Sequence, residues 1–188
     1  MEINPRLLAR QEISVTTAMS GAGRAAASDL GRGGVKAAMV GAEVAVTIRR
    51  PRQDVAAVMF NPRCDAAWIS GVRTARASVP GPLRRGTEVA RRWRWFGRGL
   101  TETSQVVEHV ADRSLEMSTE LPFGLSIRYE LEGIPEGTIA RVRVAGRAEG
   151  LARLGARMLR RLMRFIIIRD LGRLKRLVES GAAGRLIA

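Results

Sequence analysis

Hydrophobic and polar positions alternate through the middle of the chain, and the alternation gives way to a longer period near residue 150. Val44, Val46 and Ile48 alternate with Ala45, Thr47 and Arg49, the period of a strand with one buried face. Pro51 ends that strand and suits the first turn of a helix. Val55, Val58 and Met59 then give a short amphipathic helix, which Asn61-Pro62 closes. A second short helix is expected around Asp65 to Ile69, carrying Trp68. Gly71 and the alternating Val72 and Thr74 return the chain to strand.

Pro80-Gly81-Pro82 reads as a turn. The strand after Gly86 puts Val89, Arg91, Trp93 and Trp95 on one face, with Ala90, Arg92, Arg94 and Phe96 on the other. Gly97-Arg98-Gly99 is a hairpin loop. Leu100 to Val110 is a strand with polar residues on both faces, which leaves its inward face open. Leu115, Met117 and Thr119 follow a turn, and Pro122 and Gly124 break the chain again. Leu125, Ile127, Tyr129 and Leu131 then alternate with Ser126, Arg128, Glu130 and Glu132, a half-buried strand. After a turn from Gly133 to Gly137, Thr138, Ala140, Val142 and Val144 form the last strand.

From Gly150 to Glu179 the period is helical. Leu151, Leu154, Met158, Leu162 and Phe165 recur at spacings of three and four, and Ile167, Leu171, Leu174 and Val178 continue the stripe after a small phase shift. The helix would be roughly 45 Å long. It cannot bury this stripe alone, so its natural partner is a curved sheet made by the strands before it. Strand, two short helices, a run of hairpin-linked strands and one long helix predict an α+β fold: a curved antiparallel sheet of about seven strands with the C-terminal helix as its partner.

Composition changes this picture little. A chain of 188 residues that is 46% hydrophobic can bury a real core in one domain, expected over residues 41–180. Residues 1–40 are rich in Ala, Gly, Ser and Thr and read as a flexible or disordered extension, with Met39 a candidate native start. Residues 181–188 read as a tail. Cys64 is the one cysteine, which excludes an internal disulfide and fits a cytoplasmic setting. No run approaches the about 18 apolar residues of a membrane span.

Charge changes it more. The net charge is +14, and lysine occurs only at Lys36 and Lys175, so the positive charge is almost all arginine. Residues 149–188 carry ten basic and three acidic groups, a net +7. A solvated basic surface accounts for this, while nucleic acid or an anionic membrane surface stays open as a partner.

The punctuation resembles that of the START-like helix-grip superfamily, in its polyketide cyclase/dehydrase branch. The matching marks are Ile48-x-x-Pro51 leading into Val55, Asn61-Pro62 ahead of Trp68, Gly86-Thr87 before a long strand, Gly97 in the next hairpin, and Gly137-Thr138 opening the last strand. The match covers about residues 43–179. The resemblance implies a sheet curled around the C-terminal helix, with an apolar cavity between them that takes lipids, polyketides or other hydrophobic molecules. It implies no fixed catalytic set.

A curled sheet and a helix cannot meet everywhere, and pockets are concave and mostly apolar with a few placed polar groups. The expected wall is Trp68, Trp93, Trp95, Met117, Phe123, Ile127, Tyr129, Val142, Met158, Leu162 and Phe165. Two tryptophans on one strand face are bulky for a small core, which favours a pocket over simple packing. Arg91 shares their face. Inward, it needs an acid such as Glu102 or Glu108, or an anionic ligand; at the sheet end it would lie in water, the preferred reading. His109, the only histidine, is expected at an exposed strand end, and Cys64 is expected to be buried and inert. No paired histidines, Cys-x-x-Cys or Gly-x-Ser-x-Gly occur, so no metal or cofactor is called for.

Three functions fit these observations. The first is binding of a hydrophobic small molecule. The second is a cyclase/dehydrase-type enzyme, with Tyr129 or a nearby acid assisting proton transfer. The third is a nucleic-acid or membrane-surface protein acting through the arginine-rich helix; a stable nucleic-acid complex is not expected, and contact with an anionic surface stays open.

Overall fold

The computed structural model describes residues 39–95, 98–119, 124–147 and 155–187. Strand β1 (Met39–Ile48) leads into helix α1 (Arg52–Met59), a 3-10 turn (Pro62–Cys64) and helix α2 (Asp65–Trp68). Strands β2 (Val72–Ala77), β3 (Glu88–Trp95), β4 (Arg98–Val110), β5 (Ser114–Thr119), β6 (Leu125–Ile134) and β7 (Gly137–Arg147) follow. Helix α3 (Ala156–Glu179) and a last turn, α4 (Gly184–Ile187), complete the described chain.

The seven strands form one sheet in the order β1-β7-β6-β5-β4-β3-β2. Every neighbouring pair is antiparallel. The alternation predicts this antiparallel sheet, and the helix-grip arrangement is the one that the resemblance implies. Consecutive strands from β2 to β7 pair with one another, and β1 closes the sheet by pairing with β7, Val44 opposite Val142 and Ile48 opposite Thr138. Pairing breaks step twice, between Val72 and Thr74 in β2 and between Val106 and Glu108 in β4. Such bulges bend a strand and increase its twist, which a sheet needs if it is to curl over one helix.

The end of β1 is locked by Gly137-Thr138. Gly137 has φ 142°, and a Cβ there would sit 2.2 Å from the Ile48 carbonyl oxygen, so only glycine permits this approach. The Thr138 hydroxyl then donates to the Arg50 carbonyl at 2.8 Å. Asn61 caps the 3-10 turn by accepting from the Arg63 amide at 3.1 Å.

The core lies between the concave face of the sheet and the helices. Val44, Val46 and Ile48 of β1, Val55, Val58 and Met59 of α1, and Leu171, Leu174 and Val178 of α3 are all buried in it. The C-terminal half of α3 is pinned along β1: Lys175 Nζ donates to the Thr47 carbonyl at 2.7 Å, and the Arg49 amide donates to Glu179 Oε1 at 2.9 Å. The convex face of the sheet is an ionic lattice. Arg128 reaches Glu108, Glu116 and Glu130 at 2.8–2.9 Å, and Arg141 and Arg143 both reach Glu43. The arginines Arg128, Arg141 and Arg143 of β6 and β7 are therefore neutralised locally.

Candidate ligand cavity

Inward positions of the strands and of α3 leave a cavity of about 190 Å³. From β3 come Arg91 and Trp93, from β6 Ile127 and Tyr129, and from β7 Val142 and Val144. Trp68 closes it from α2, and Met163, Ile166, Ile167 and Leu171 from α3. Each strand contributes alternate residues because successive side chains point to opposite faces. Most of the wall is hydrocarbon, with polar atoms gathered in two places.

The first place is Arg91. Its Nε donates to Asp65 Oδ2 at 2.7 Å, and its Nη1 lies 3.4 Å from the Ser104 hydroxyl. Ser104 in turn donates to Glu102 Oε1 at 2.7 Å. Among the described residues, Nη2 of Arg91 meets the Met117 sulfur at 3.7 Å, a soft and weak acceptor. Burial opposes the Arg91 charge, but Asp65, with Glu102 adding to it, holds its pKa above the usual value. Burial likewise pushes the Asp65 carboxyl up, with Arg91 drawing it back. Tyr129 stands beside this cluster, and burial, opposed by Arg91, raises its hydroxyl well above the ordinary range. It is a neutral phenol at physiological pH, able to donate. Trp68 meets its ring edge-on at 6.0 Å, and Trp68 Nε1 is buried without a hydrogen-bond partner among the described residues.

The second place is Asp170, on the inward face of α3. Its Oδ1 accepts from both the backbone N–H, at 3.0 Å, and the hydroxyl of Ser70. Arg173 Nη1 reaches the same hydroxyl at 3.1 Å. Burial raises the Asp170 carboxyl, with the Ser70 bonds acting against it. The cavity thus has a fixed cation with a phenol in one region and a carboxyl with an elevated pKa in another.

Among the expected wall residues, the structure brings Trp68, Trp93, Ile127, Tyr129, Val142 and Arg91 together around this space. Met117 is buried beneath Arg91, and Glu102 reaches the cluster through Ser104. The side chain of Trp95, and Phe123 altogether, lie outside the described residues.

Met158, Leu162 and Phe165 require correction. They are 62%, 50% and 63% exposed and face away from the sheet. The helix buries Ile167, Asp170, Leu171, Leu174 and Val178, with Met163 packed against the core. That is one unbroken period of 3.6, so the supposed phase shift is a change of face.

Arg91 is corrected as well. It is buried rather than in water at the sheet end, and its partner is Asp65 rather than Glu102 or Glu108. Glu108 pairs with Arg128 instead. His109 is half-buried, with Nδ1 2.7 Å from the Leu83 carbonyl and its ring edge-on to Phe60. Asp65, Ser70 and Asp170 escaped the sequence reading. Asp170 carries a legible signal, since it interrupts the apolar stripe between Ile167 and Leu174. Asp65 looks like an ordinary acid at a helix start, which hides its role.

Among the described residues, no group of three His, Cys, Asp or Glu side chains could hold a metal ion, and no helix is long and apolar enough to cross a membrane. Residues 39–179 match the family described as polyketide cyclase / dehydrase and lipid transport. The chain belongs to that family. No curated protein matches it. Solved structures share the fold of this family member at low identity. A protein of unknown function from Staphylococcus aureus, SA2116, is 12% identical at a TM-score of 0.67, over 80% of this chain and 99% of that one. The di-domain ARO/CYC StfQ from the steffimycin biosynthetic pathway is 16% identical at a TM-score of 0.62, over 78% of this chain and 51% of that one. The di-domain ARO/CYC BexL from the BE-7585A biosynthetic pathway is 17% identical at 0.59, over 76% and 49%.

Proposed function

We propose that this family member binds a compact, largely apolar molecule of one or two rings that carries at least one oxygen function. The observation that carries the reading is the cavity itself: about 190 Å³, walled by aromatic and aliphatic side chains, with Arg91 and Tyr129 on its surface. A cavity of about 150 Å³ lined by hydrocarbon takes benzene, while drug-sized ligands occupy about 300–1,000 Å³. The space therefore suits one or two rings better than an extended polycycle. Burying a ligand hydroxyl, carbonyl or carboxylate here is tolerable because Arg91 and Tyr129 can donate to it. The family's description and the two ARO/CYC neighbours support an aromatic or polyketide-derived ligand.

A second reading, a cyclase/dehydrase-type enzyme, is favoured by one observation. Asp170 shares the cavity with Tyr129 and has an elevated pKa, as a group exchanging a proton with a bound carbonyl compound needs.

Native mass spectrometry of freshly purified protein, together with titration of an apolar environment-sensitive dye, tests the first reading. The expected result is one dye molecule per chain, displaced by small phenols or aromatic acids, with affinity lowered in Arg91→Met. A chain that takes up no apolar probe and carries no co-purified molecule has no internal site. Turnover of a small β-ketone substrate, abolished in Asp170→Asn while binding persists, would establish the second reading over the first.

A further inference from the structure

Helix α3 has two apolar faces in its first half, and among the described residues only one is covered. Met163 and Ile166 look into the cavity. At 100° per residue, Met158, Leu162 and Phe165 lie about opposite the buried Ile167, Leu171 and Leu174, and are 62%, 50% and 63% exposed. Three large apolar side chains aligned on one exposed helix face form a patch rather than scattered exceptions.

The charge around that patch is one-sided. Arg157, Arg160, Arg161 and Arg164 lie within the same turns, and residues 156–165 contain no acid. Arg157, Arg160 and Arg161 are exposed, and none of the four makes an ion pair among the described residues. On β6 and β7, by contrast, Arg128, Arg141 and Arg143 are paired with glutamates, while Arg73, Arg76, Arg92 and Arg94 of β2 and β3 are exposed without an apolar stripe of this kind beside them. The position is also unfavourable for the helix. Its first turns carry the positive end of the backbone dipole, which acids stabilise and arginines oppose. Further along the outward side, exposed Arg169 and Arg176 continue the basic line.

From this we infer that the outward face of the first half of α3 docks on an anionic lipid bilayer. Met158, Leu162 and Phe165 enter the boundary between headgroups and acyl chains, and the flanking arginines meet lipid phosphates. An amphipathic helix that lies in the interface combines an apolar stripe with a basic polar face in this way, and the attraction of arginines to anionic headgroups supplies the second half of the binding. A second copy of the chain fits poorly, because it would bring two sets of unpaired arginines together. A nucleic acid would engage the arginines and leave the apolar stripe without a role. The inference does not depend on what fills the cavity.

The test uses the full chain and sedimentation with vesicles of phosphatidylcholine alone or mixed with phosphatidylglycerol. At about 0.15 M salt it should co-sediment with the anionic vesicles and stay in solution with the neutral ones. A triple variant, Met158→Ser with Leu162→Ser and Phe165→Ser, alters only exposed side chains. Its melting temperature should match wild type, and its partitioning should fall about tenfold or more through loss of the buried apolar stripe. The Arg157→Gln, Arg161→Gln and Arg164→Gln triple should bind less and show a flatter salt dependence. Phe165→Trp should shift its emission to the blue with anionic vesicles only.

Absence of sedimentation with anionic vesicles overturns the inference, as does wild-type partitioning by the serine variant. If sedimentation velocity shows a dimer that the serine variant dissociates, a second copy covers the stripe and the inference falls. If duplex DNA is bound with unchanged affinity by the serine variant and vesicles are not bound, the arginines serve nucleic acid and the inference falls equally.

Discussion

Arg91 and Asp65 meet at 2.7 Å where each side chain is only 3% exposed. The pair joins β3 to α2, tying the middle of the sheet to the short helix that also carries Trp68. Removing one partner strands the other as an uncompensated buried charge, which typically costs about 3–5 kcal/mol. Asp65→Ala and Arg91→Ala should therefore each lower stability by about that amount. Asp65→Leu combined with Arg91→Met replaces the pair with hydrocarbon of similar bulk and should recover most of the loss. Urea unfolding of the two single variants and the double variant checks this. Single variants within about 1 kcal/mol of wild type would mean that water reaches the pair.

Trp68 and Trp93 border the same cavity but should answer truncation differently. Trp68 is 2% exposed and embedded in the core cluster, so Trp68→Ala should cost about 3–5 kcal/mol. Trp93 is half-buried at the cavity wall. Its removal widens a space that already exists, so Trp93→Ala should cost clearly less while changing dye affinity by about 1 kcal/mol or more. Thermal melts and dye titrations on the same preparations separate the two effects. Equal destabilisation with unchanged dye binding would make both residues plain core.

Much of the architecture was legible in the sequence because a period of two and a period of 3.6 are hard to confuse over long segments. Val44, Val46 and Ile48, or Leu125 to Leu131, advertise a strand with one apolar face. The strand from Leu100 to Val110 did not, because its inward residues Glu102 and Ser104 are polar and serve the Arg91 cluster. The bulge after Val106 then changes its phase. The site was half legible for the same reason. Apolar wall residues follow the strand pattern, whereas Asp65 and Ser70 come from short connecting elements, and only tertiary packing brings them to Arg91 and Asp170. On α3, two apolar stripes on opposite sides read in sequence as one stripe with a slip, and only the position of the sheet tells which is buried.

The start of the family match leads to a prediction of its own. That match begins at residue 39, and β1 pairs with β7 from Met39 opposite Arg147 onward. Residues 1–38 have few large apolar side chains to contribute to a core. A chain truncated to begin at Met39 should melt within a few degrees of the full chain and bind the same apolar dye. A large drop in melting temperature would show that the extension packs on the domain.

Asp170 makes a prediction about pH whose sign is fixed by burial. Its carboxyl is raised in the folded chain, so folded protein holds this proton over a range where unfolded chain has released it. Stability from that difference is present below the ordinary carboxylate value and is lost as pH rises through the elevated folded value. Asp170→Asn cannot titrate, and it keeps an oxygen that can accept from Ser70. Comparing the two proteins cancels contributions that both share. The difference in melting temperature, wild type minus variant, should therefore fall as pH rises above the ordinary carboxylate value of about 4. If it rises instead, Ser70 and Arg173 outweigh burial, and the carboxyl is a stabilised anion unsuited to proton exchange. If ligand binding lowers proton release from Asp170, a filled cavity should steepen the fall, because closing off water raises the penalty on the charged form. A dye-saturated sample run beside the free one gives that comparison directly.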